Sequence, residues 1–364
     1  MSLDFTAEGG CGSTFACTRY LNASRMWPTR RRCLLWEMRR RRSIEIGYTL
    51  SSEERQPDEL VGQAQAAEDS GFTFALISDH FHPWTDEQGS SPFVWSVLGG
   101  IATRTKRLRV GTGVTCPTMR IHPAIIAQAS ATVACLMPGR FFLGIGTGEN
   151  LNEHITGGFW PPPEMRQDML EEAVDVLRLL HRGGERSHYG KFFQVHDARI
   201  YNLPDALPPI YMAAGGEKAG KLAGQVADGL ICSDPSKETV DAFEAAGGKG
   251  KPRYGQLTVC WARSEKEAVR TAHKMWPNAG LKGRFKNEVP RPSHIEEAAH
   301  SVRPEDVAKE IVCGPDPQRH LEGIGEFLKA GFDHVYVHQV GPDQAGFMRF
   351  YEREILPNVR QVAA

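Results

Sequence analysis

The sequence predicts a parallel (β/α)₈ barrel, and three observations lead to that prediction. Short β-type runs alternate with helical patterns from residue 43 onward, and eight such runs occur in order along the chain. The 364 residues are enough for a barrel of about 250 residues with insertions. Apolar residues make up 41% of the chain and charged residues 24%, which is ordinary for a globular protein. We therefore expect one large α/β domain over residues 43–364.

The first half of the predicted barrel contains four strands, at residues 44–48, 74–77, 108–113 and 141–144. The helices between them are predicted at residues 57–70, 91–102 and 123–136. Pro57 suits the first turn of its helix, and Gly71 suits the position just after its end. Apolar side chains repeat along that helix at the spacing of one buried face: Leu60, Ala64 and Ala67.

The second half contains the other four strands, at residues 209–213, 229–232, 256–262 and 335–338. A strongly amphipathic helix is predicted at residues 164–182 and a second helix at residues 317–330. Residues 189–193 and 199–201 are predicted to pair as an inserted β-hairpin. Residues 278–303 have little regular pattern, so we expect a long functional loop or insertion there.

The first forty residues differ from the rest of the chain. Residues 1–42 lack helical or strand periodicity and contain two arginine runs, at residues 30–32 and 39–42. We expect a disordered tail, or an upstream extension from a misplaced start codon with Met38 as the natural start. The alternative is that the arginines bind an anionic partner.

Composition argues against several classes of protein. The formal net charge is -1, so there is no basic surface for nucleic acid. No run approaches the roughly 20 apolar residues that a membrane helix needs. The 8 cysteines are scattered without metal-ligand spacing and are typical of free thiols in a reducing compartment. These features indicate a cytoplasmic protein that binds neither nucleic acid nor membrane.

Polar clusters follow several of the predicted strands, where the active site of a (β/α)₈ barrel lies. They occupy residues 79–84, 111–114, 146–152 and 213–216. The last of these is glycine-rich and opens a helix, so its backbone N–H groups are placed to approach an anion.

Within these clusters, His80 is the natural general base because imidazole titrates near neutral pH. Asp79 and Glu149 are carboxylates suited to binding or protonating a cofactor, and Trp84 is suited to covering a ring or positioning a substrate. Each residue also has a purely structural interpretation, as a hydrogen-bonded His–Asp pair or a core tryptophan. His80 and His82 alternate as metal ligands do, but no third ligand is evident, so no metal is expected.

Residues 144–148 begin like a dinucleotide-binding fingerprint, Gly-Ile-Gly-Thr-Gly. The third glycine comes too early, and no acidic residue ends a second strand about 20 residues later. The sequence therefore disfavours an NAD-binding fold of that kind.

Four sequence blocks, taken together and in order, identify a resemblance. They are residues 78–84 (Ser-Asp-His-Phe-His-Pro-Trp), 122–128, 138–149 and 213–216. These blocks resemble the F420-dependent glucose-6-phosphate dehydrogenase group of luciferase-like oxidoreductases, and the resemblance spans about residues 44–357. Residues 115–120 and 166–169 look even more like the related F420-dependent secondary alcohol dehydrogenases.

The resemblance implies a luciferase-like barrel that binds the deazaflavin coenzyme F420. The Gly113–Val114 bond matches a position where the family has a non-proline cis peptide that bulges toward the cofactor. Cys116 stands where the family has a threonine in the cofactor pocket. The other residues matched to the deazaflavin and its phosphate tail are Asp79, Thr147, Gly148, Asn152, Gly215, Gly216, Lys218 and Ala219.

The resemblance also implies catalytic roles. His80 would take the substrate hydroxyl proton as hydride leaves carbon, and Trp84 would position the reacting carbon. Glu149 would give a proton to the reduced ring. Glu53, after the first strand, would support His80 or the substrate. The protein's part is positioning and electrostatics, because the hydride chemistry belongs to the cofactor.

The match weakens in the substrate pocket, where the family binds a sugar phosphate with a threonine, two lysines and an arginine. Ser233 replaces the threonine, Lys237 fills one lysine position after a one-residue shift, and Lys286 matches the other. Glu310 stands at the arginine position, and a carboxylate there would repel a phosphate. Residues that could compensate are Lys309, Arg303 and Arg284.

We therefore expect an F420-dependent dehydrogenase that acts on a hydroxyl-bearing carbon of a small-molecule substrate. The resemblance favours glucose 6-phosphate or another sugar phosphate as the substrate. An alcohol is the next candidate, because Glu310 would repel a phosphate. The family's habit suggests a homodimer. The alternatives are an FMN-dependent luciferase-like monooxygenase, a non-catalytic flavin- or deazaflavin-binding barrel, and a non-redox isomerase or aldolase on the same fold.

Overall fold

Eight parallel strands close into a barrel in the computed structural model, which describes residues 44–283 and 285–361. The strands of this part of the chain are β1 (Glu45–Leu50), β2 (Phe74–Ile77), β3 (Arg109–Thr112), β4 (Phe141–Ile145), β5 (Arg186–Tyr189), β6 (Gln194–Ala198), β7 (Ile210–Ala213), β8 (Gly229–Cys232), β9 (Arg253–Cys260), β10 (Val312–Cys313) and β11 (His334–Gln339). The barrel runs β9-β11-β1-β2-β3-β4-β7-β8, and β8 pairs back with β9. The predicted (β/α)₈ barrel is confirmed.

Helices surround the barrel. In the described residues they are α1 (Pro57–Asp69), α2 (Val94–Arg104), α3 (Pro123–Leu136), α4 (Asn150–Glu153), α5 (Pro163–His181), α6 (Glu217–Val226), α7 (Lys237–Phe243), α8 (Glu265–Met275), α9 (Phe285–Glu288), α10 (Pro292–Ala299), α11 (Pro304–Glu310), α12 (Pro317–Lys329) and α13 (Gln344–Phe350). Several begin with proline in the first turn, where its missing N–H has no helical partner to lose. None of the helices in these ranges combines the length and apolarity needed to cross a membrane.

The alternation of side chains along each strand separates two apolar regions. On β2, Phe74 and Leu76 point into the barrel, whereas Ala75 and Ile77 pack with the surrounding helices. Aromatic rings fill the interior, with Phe74 and Tyr254 edge to face at a centroid distance of 5.1 Å. Gly111 is required beside them, because a Cβ there would lie 2.0 Å from the Phe142 ring. The barrel is a packed core, so the site must lie at its ends.

The structure corrects the predicted hairpin. Its strands are β5 and β6, so residues 190–193 form the turn rather than part of a strand. The Glu172 carboxylate on α5 accepts hydrogen bonds from the backbone N–H groups of Phe192 and Phe193. These bonds hold the turn against the helix, and both paired strands lie closer to the N-terminus than predicted.

The segment at residues 278–303 is also different from the prediction of an irregular loop. It contains α9 and α10, and the unpredicted α11 follows it. On α10 only Ile295 and Ala299 are buried, so this short helix has no apolar stripe for a sequence pattern to reveal. The predicted extension at residues 1–42, its boundary with the domain and Arg284 lie outside the described residues.

A charged cluster lies at the amino ends of the strands, opposite the predicted site. Arg109 pairs with Glu45, and His334 Nε2 lies 3.5 Å from the same carboxylate. The hydrogen bond from His334, helped by the charge of Arg109, lowers the pKa of Glu45 to about 2 despite its partial burial. The ionised carboxylate is therefore stabilised by the folded state.

We expect this cluster to contribute to the acid sensitivity of the fold. A lowered pKa gives stability that is present above pH 4.5 and is lost as the pH falls toward 2. Wild-type protein should lose on the order of 2 kcal/mol more than Glu45→Gln over that interval. Urea unfolding at several pH values measures the difference, and parallel losses in the two proteins would contradict it.

Candidate active site

Polar side chains from several strands converge at the carboxyl ends of the barrel. The loop after β1 carries Glu53, and the loop after β2 carries Asp79, His80 and Trp84. Glu149 follows β4 and immediately precedes α4. The structure thus brings the predicted catalytic side chains to one face of the barrel, as parallel strands require.

His80 is held between a carboxylate and an aromatic ring. Its Nε2 lies 3.4 Å from Glu53 Oε1, and its ring meets Trp84 edge to face with centroids 5.1 Å apart. Its Nδ1 lies 3.2 Å from the His82 carbonyl oxygen, which can only accept a hydrogen bond. Nδ1 therefore carries the hydrogen, which leaves the Nε2 lone pair of the neutral ring available to take a proton.

The partners of His80 are themselves fixed. Glu53 Oε2 accepts hydrogen bonds from the Ser51 and Ser78 hydroxyls at 3.1 and 2.6 Å. The Trp84 backbone N–H donates to Gln88 Oε1, and the Gln88 amide donates to the Met275 carbonyl. The His80 environment is therefore built from the loops after β1 and β2, and the end of α8 fixes the second of these loops.

Arg120 joins two buried carboxylates behind this group. It donates to Asp79 Oδ1 at 2.7 Å, and its Nε lies 3.7 Å from Glu153 Oε1. The exposed fractions of the Asp79, Glu153 and Arg120 side chains are 0%, 1% and 7%. Burial raises the pKa of Glu153 to about 7, against the opposing effect of Arg120. Arg120 and Glu153 have no role predicted from the sequence.

The enclosure of Asp79 changes how it can serve a cofactor. Its carboxylate is occupied by Arg120 and by the Thr115 hydroxyl at 2.7 Å. Its side chain has no exposed surface, so the carboxylate is not open to a ligand. Its place beside the cofactor stays a prediction. Its hydrogen bonds to Arg120 and Thr115 hold the turn after β2 in position.

Asn152 connects the loop after β2 with α4. Its Oδ1 accepts hydrogen bonds from the backbone N–H groups of Phe81 and His82 at 2.9 and 3.2 Å. Its Nδ2 donates to Glu149 Oε2 at 3.3 Å. This predicted cofactor ligand thus fixes the segment that carries His80 relative to Glu149.

The backbone around the cleft has the features expected of a cofactor cradle. The Gly113–Val114 peptide is cis, at the position matched by resemblance. Gly148 has φ of +75°, and a Cβ there would meet the buried Cys116 Sγ at 2.7 Å. Burial raises the pKa of the Cys116 thiol, which lies 3.1 Å from the Thr118 hydroxyl. Cys116 is accordingly an uncharged thiol that lines the cleft.

The glycines after β7 leave open space. No heavy atom lies within 4 Å of a Cβ built on Gly215 or Gly216, and Gly216 precedes the first turn of α6. Lys218 is exposed and Ala219 half-buried on that turn. Free backbone N–H groups at a helix start attract an anion, so this end of the cleft suits a phosphate.

Two of the predicted substrate residues, Ser233 and Lys237, are exposed, and both already have partners. The Ser233 hydroxyl donates to Asp234 at 3.2 Å, and Lys237 Nζ lies 2.6 Å from Asp241 Oδ1. Glu310 is paired with Lys282. Lys286 is half-buried on α9. Both compensating residues that the structure describes, Lys309 and Arg303, contact Asp306.

A second Glu–His–Trp group lies beside the first and was also missed. Glu54 Oε2 is 3.2 Å from His338 Nε2, and the His338 ring meets Trp276 edge to face at 4.6 Å. Both side chains are buried. This group anchors the β1 loop, and therefore Glu53, to the end of β11. Within the described ranges, no group of three His, Cys, Asp or Glu side chains is arranged to hold a metal ion.

Comparison with known proteins places this geometry among enzymes. Residues 43–334 match the family model described as luciferase-like monooxygenase. The chain is 36% identical over 334 residues to the F420-dependent glucose-6-phosphate dehydrogenase of Mycolicibacterium smegmatis, covering 88% of this chain and 99% of that protein. The enzyme of the same name from Mycobacterium tuberculosis is 35% identical over 333 residues, with the same coverage.

Solved structures agree on the fold. An F420-dependent secondary alcohol dehydrogenase in complex with an F420-acetone adduct superposes with a TM-score of 0.82 at 30% identity, covering 87% of this chain and 99% of that one. A coenzyme F420-dependent tetrahydromethanopterin reductase from Methanopyrus kandleri has a TM-score of 0.71 at 21% identity, with the same coverage. The second comparison supports the fold alone.

Proposed function

The chain belongs to the luciferase-like monooxygenase family, and from that premise we propose that it is a coenzyme F420-dependent dehydrogenase. It transfers a hydride from a hydroxyl-bearing carbon to the deazaflavin, with the reverse reduction also available. The observation that carries the proposal is the Glu53–His80–Trp84 group, which faces the cleft together with Glu149. A binding protein needs no such proton-transfer pair.

The residues of the cleft fit a deazaflavin with a phosphate-bearing tail. The open space over Gly215 and Gly216 at the start of α6 suits the phosphate. The cis Gly113–Val114 peptide, Thr147 and Gly148 would border the ring system, with Cys116 behind them. Lys218 and Ala219 would lie beside the tail. When bound, the deazaflavin supplies the carbon that accepts or returns the hydride.

The side chains divide the proton transfers between them. His80 Nε2 takes the hydroxyl proton as the C–H bond of the substrate breaks, which leaves a carbonyl. Glu53 Oε1, 3.4 Å away, stabilises the imidazolium that forms. Trp84, against the His80 ring, holds the substrate carbon in place. Glu149, oriented by Asn152, holds the proton that balances the charge gained by hydride transfer.

The substrate class is the finer part of the proposal. The relatives named above are glucose-6-phosphate dehydrogenases, which supports a sugar phosphate. The pairing of Lys237 with Asp241, and the presence of Glu310 beside Lys282, favour a less charged alcohol. Glucose 6-phosphate and simple secondary alcohols are therefore the first two substrates to test.

A deuterium-transfer experiment tests the reaction. Glucose 6-phosphate labelled at C1 and 2-deutero-2-propanol are each incubated with enzyme and F420, and the reduced cofactor is analysed by mass spectrometry. The proposal expects label in the reduced F420 from at least one donor. F420 that remains oxidised or unlabelled with every hydroxylated donor would contradict it.

Glu310 provides a test of phosphate recognition. Glu310→Arg removes a carboxylate, releases Lys282 and adds a cation, so we expect kcat/KM for glucose 6-phosphate to rise about tenfold. The matched control is Glu305→Arg on the same helix, which makes the same charge change. Equal responses of the two variants, or a loss in Glu310→Arg, would indicate that this position does not face the phosphate.

We further propose a cytoplasmic homodimer. The 5 cysteines that the structure describes are free thiols, which suits a reducing compartment. The dimer rests on the resemblance, and light scattering of the purified protein measures it.

A further inference from the structure

Arg120 occupies the junction between the two segments that carry the proposed base and the proposed acid. Its guanidinium donates to Asp79 Oδ1 at 2.7 Å and to the Asp79 backbone carbonyl at 3.2 Å. Its own backbone N–H donates to Glu153 Oε2 at 2.9 Å. Arg120 thus contacts the residue just before His80 and the last residue of α4, which begins just after Glu149.

The charges at this junction balance only while Glu153 is protonated. One guanidinium serves two enclosed carboxylates, and its Nε, also buried, has no hydrogen-bond partner in the described structure although Glu153 Oε1 is 3.7 Å away. Glu149 lies near enough to add to the negative charge. A buried charge without its partner is strongly unfavourable, so the position of the turn depends on this one cation.

A second connection joins the same two segments. Asn152 binds the backbone of Phe81 and His82, and the His82 ring donates from Nδ1 to the Leu151 carbonyl at 2.8 Å. With Asn152 tying the outer part of the turn, Arg120 controls its inner part, at the Asp79 backbone. The two connections fix the distance between His80 and Glu149.

We infer that Arg120 is a positioning residue, which holds the Asp79–His80 backbone against α4 so that the cofactor cleft and the His80–Glu149 spacing are formed before ligand binds. The inference rests on the proposed function. Arg120 touches neither substrate nor cofactor, and it acts through Asp79 and Glu153.

Glu153 makes this arrangement sensitive to pH. The charged or titratable groups that face it are Arg120, Asp79, Glu149 and the Cys116 thiol. Below about pH 7 Glu153 is protonated, so Arg120 forms an ion pair with Asp79 alone. Above that pH the ionised Glu153 competes for the same guanidinium. We therefore expect F420 affinity to fall as the pH rises through 7, and Glu153→Gln to lack this step.

The chain offers a matched control at the other end of the barrel. Arg253, the first residue of β9, also joins two carboxylates, Glu244 and Asp333, and its Nε likewise lies buried without a hydrogen-bond partner among the described residues. Its side chain is 11% exposed, close to the 7% of Arg120. Arg253→Gln thus reproduces the loss of a buried cation without touching the cleft.

The experiment compares wild type with Arg120→Gln, Arg120→Lys, Glu153→Gln and Arg253→Gln. F420 fluorescence titrations between pH 6 and 8 give Kd, thermal unfolding gives Tm, and turnover is measured separately. Loss of a hydrogen bond to a charged group predicts a Kd about 10- to 100-fold higher in Arg120→Gln, with partial recovery in Arg120→Lys. Arg253→Gln should lower Tm and leave Kd unchanged.

Each outcome supports or contradicts the role of Arg120 as a positioning residue. If Arg120→Gln resembles Arg253→Gln, with a lower Tm and an unchanged Kd, Arg120 is only structural and the inference is wrong. If Arg120→Gln does not fold, Arg120→Lys and Glu153→Gln decide: a wild-type Kd at every pH in both variants overturns it. Wild-type protein that fails to bind F420 overturns the proposed function first, so the two failures are distinguishable.

Discussion

His80→Asn should lower kcat by roughly 10²–10⁴ while leaving the Kd for F420 nearly unchanged. Asparagine can keep a hydrogen bond to the His82 carbonyl through its amide N–H, but it has no group that accepts a proton near neutral pH. The substrate hydroxyl would then have to lose its proton to water. Turnover at saturating substrate and a fluorescence titration with F420 separate the two effects.

The control for this variant is another histidine held by carboxylates. His334→Asn removes a buried imidazole that lies 2.6 Å from Asp333 and 3.5 Å from Glu45, at the amino ends of the strands. It should destabilise the fold and leave the kcat of the folded protein as it was. If His80→Asn turns over like His334→Asn, His80 has no part in proton transfer.

Glu149→Gln should lower kcat by about 10²-fold or more and also preserve F420 binding. The glutamine carbonyl can still accept the hydrogen bond from Asn152 Nδ2, so the position of the side chain is retained. What is lost is the capacity to release and regain a proton. Glu172→Gln is the matched control, because that carboxylate also accepts hydrogen bonds but lies on α5 beside the hairpin turn.

Single-turnover kinetics refine this second prediction, because they separate the chemical step from product release. In Glu149→Gln the substrate hydroxyl proton can still pass to His80, so substrate binding should be normal while the chemical step slows. A single-turnover experiment with enzyme in excess over F420 should show the defect directly. A wild-type rate in the single turnover would assign Glu149 to cofactor binding or to no role at all.

Patterns along the sequence were sufficient to predict the barrel. Alternating strands and helices identify themselves by period, and strand β8 and helix α3 were predicted with the boundaries the structure has. The hairpin was misplaced because its register depends on Glu172, which is about twenty residues away in the sequence. The short helices after Asn278 were missed because each buries too few apolar residues to show a period.

The candidate site was predicted where its residues adjoin strand ends. His80, Trp84 and Glu149 fall in such clusters, and a family resemblance assigned their roles. Arg120 and Glu153 were not assigned because their importance arises from burial together, which no local pattern records. One signal was available: Glu149 directly precedes the short helix that ends at Glu153, so the two acids lie at opposite ends of a single helical turn.

The contact between Glu54 and His338 could not be predicted from the sequence either. These residues are nearly 300 positions apart in the chain and meet only because the barrel closes with β11 beside β1. A sequence pattern can predict that the ends of both strands lie on one face. It cannot predict which of Glu53 and Glu54 points to His80 and which to His338.

The most direct test of the central claim is a fluorescence titration of the purified full-length protein with F420 and, in parallel, with FMN. The cleft described here predicts tight, saturable binding of F420 and no comparable binding of FMN. A preference for FMN, or yellow FMN that remains bound through purification, would contradict the dehydrogenase assignment and indicate a flavin-dependent monooxygenase.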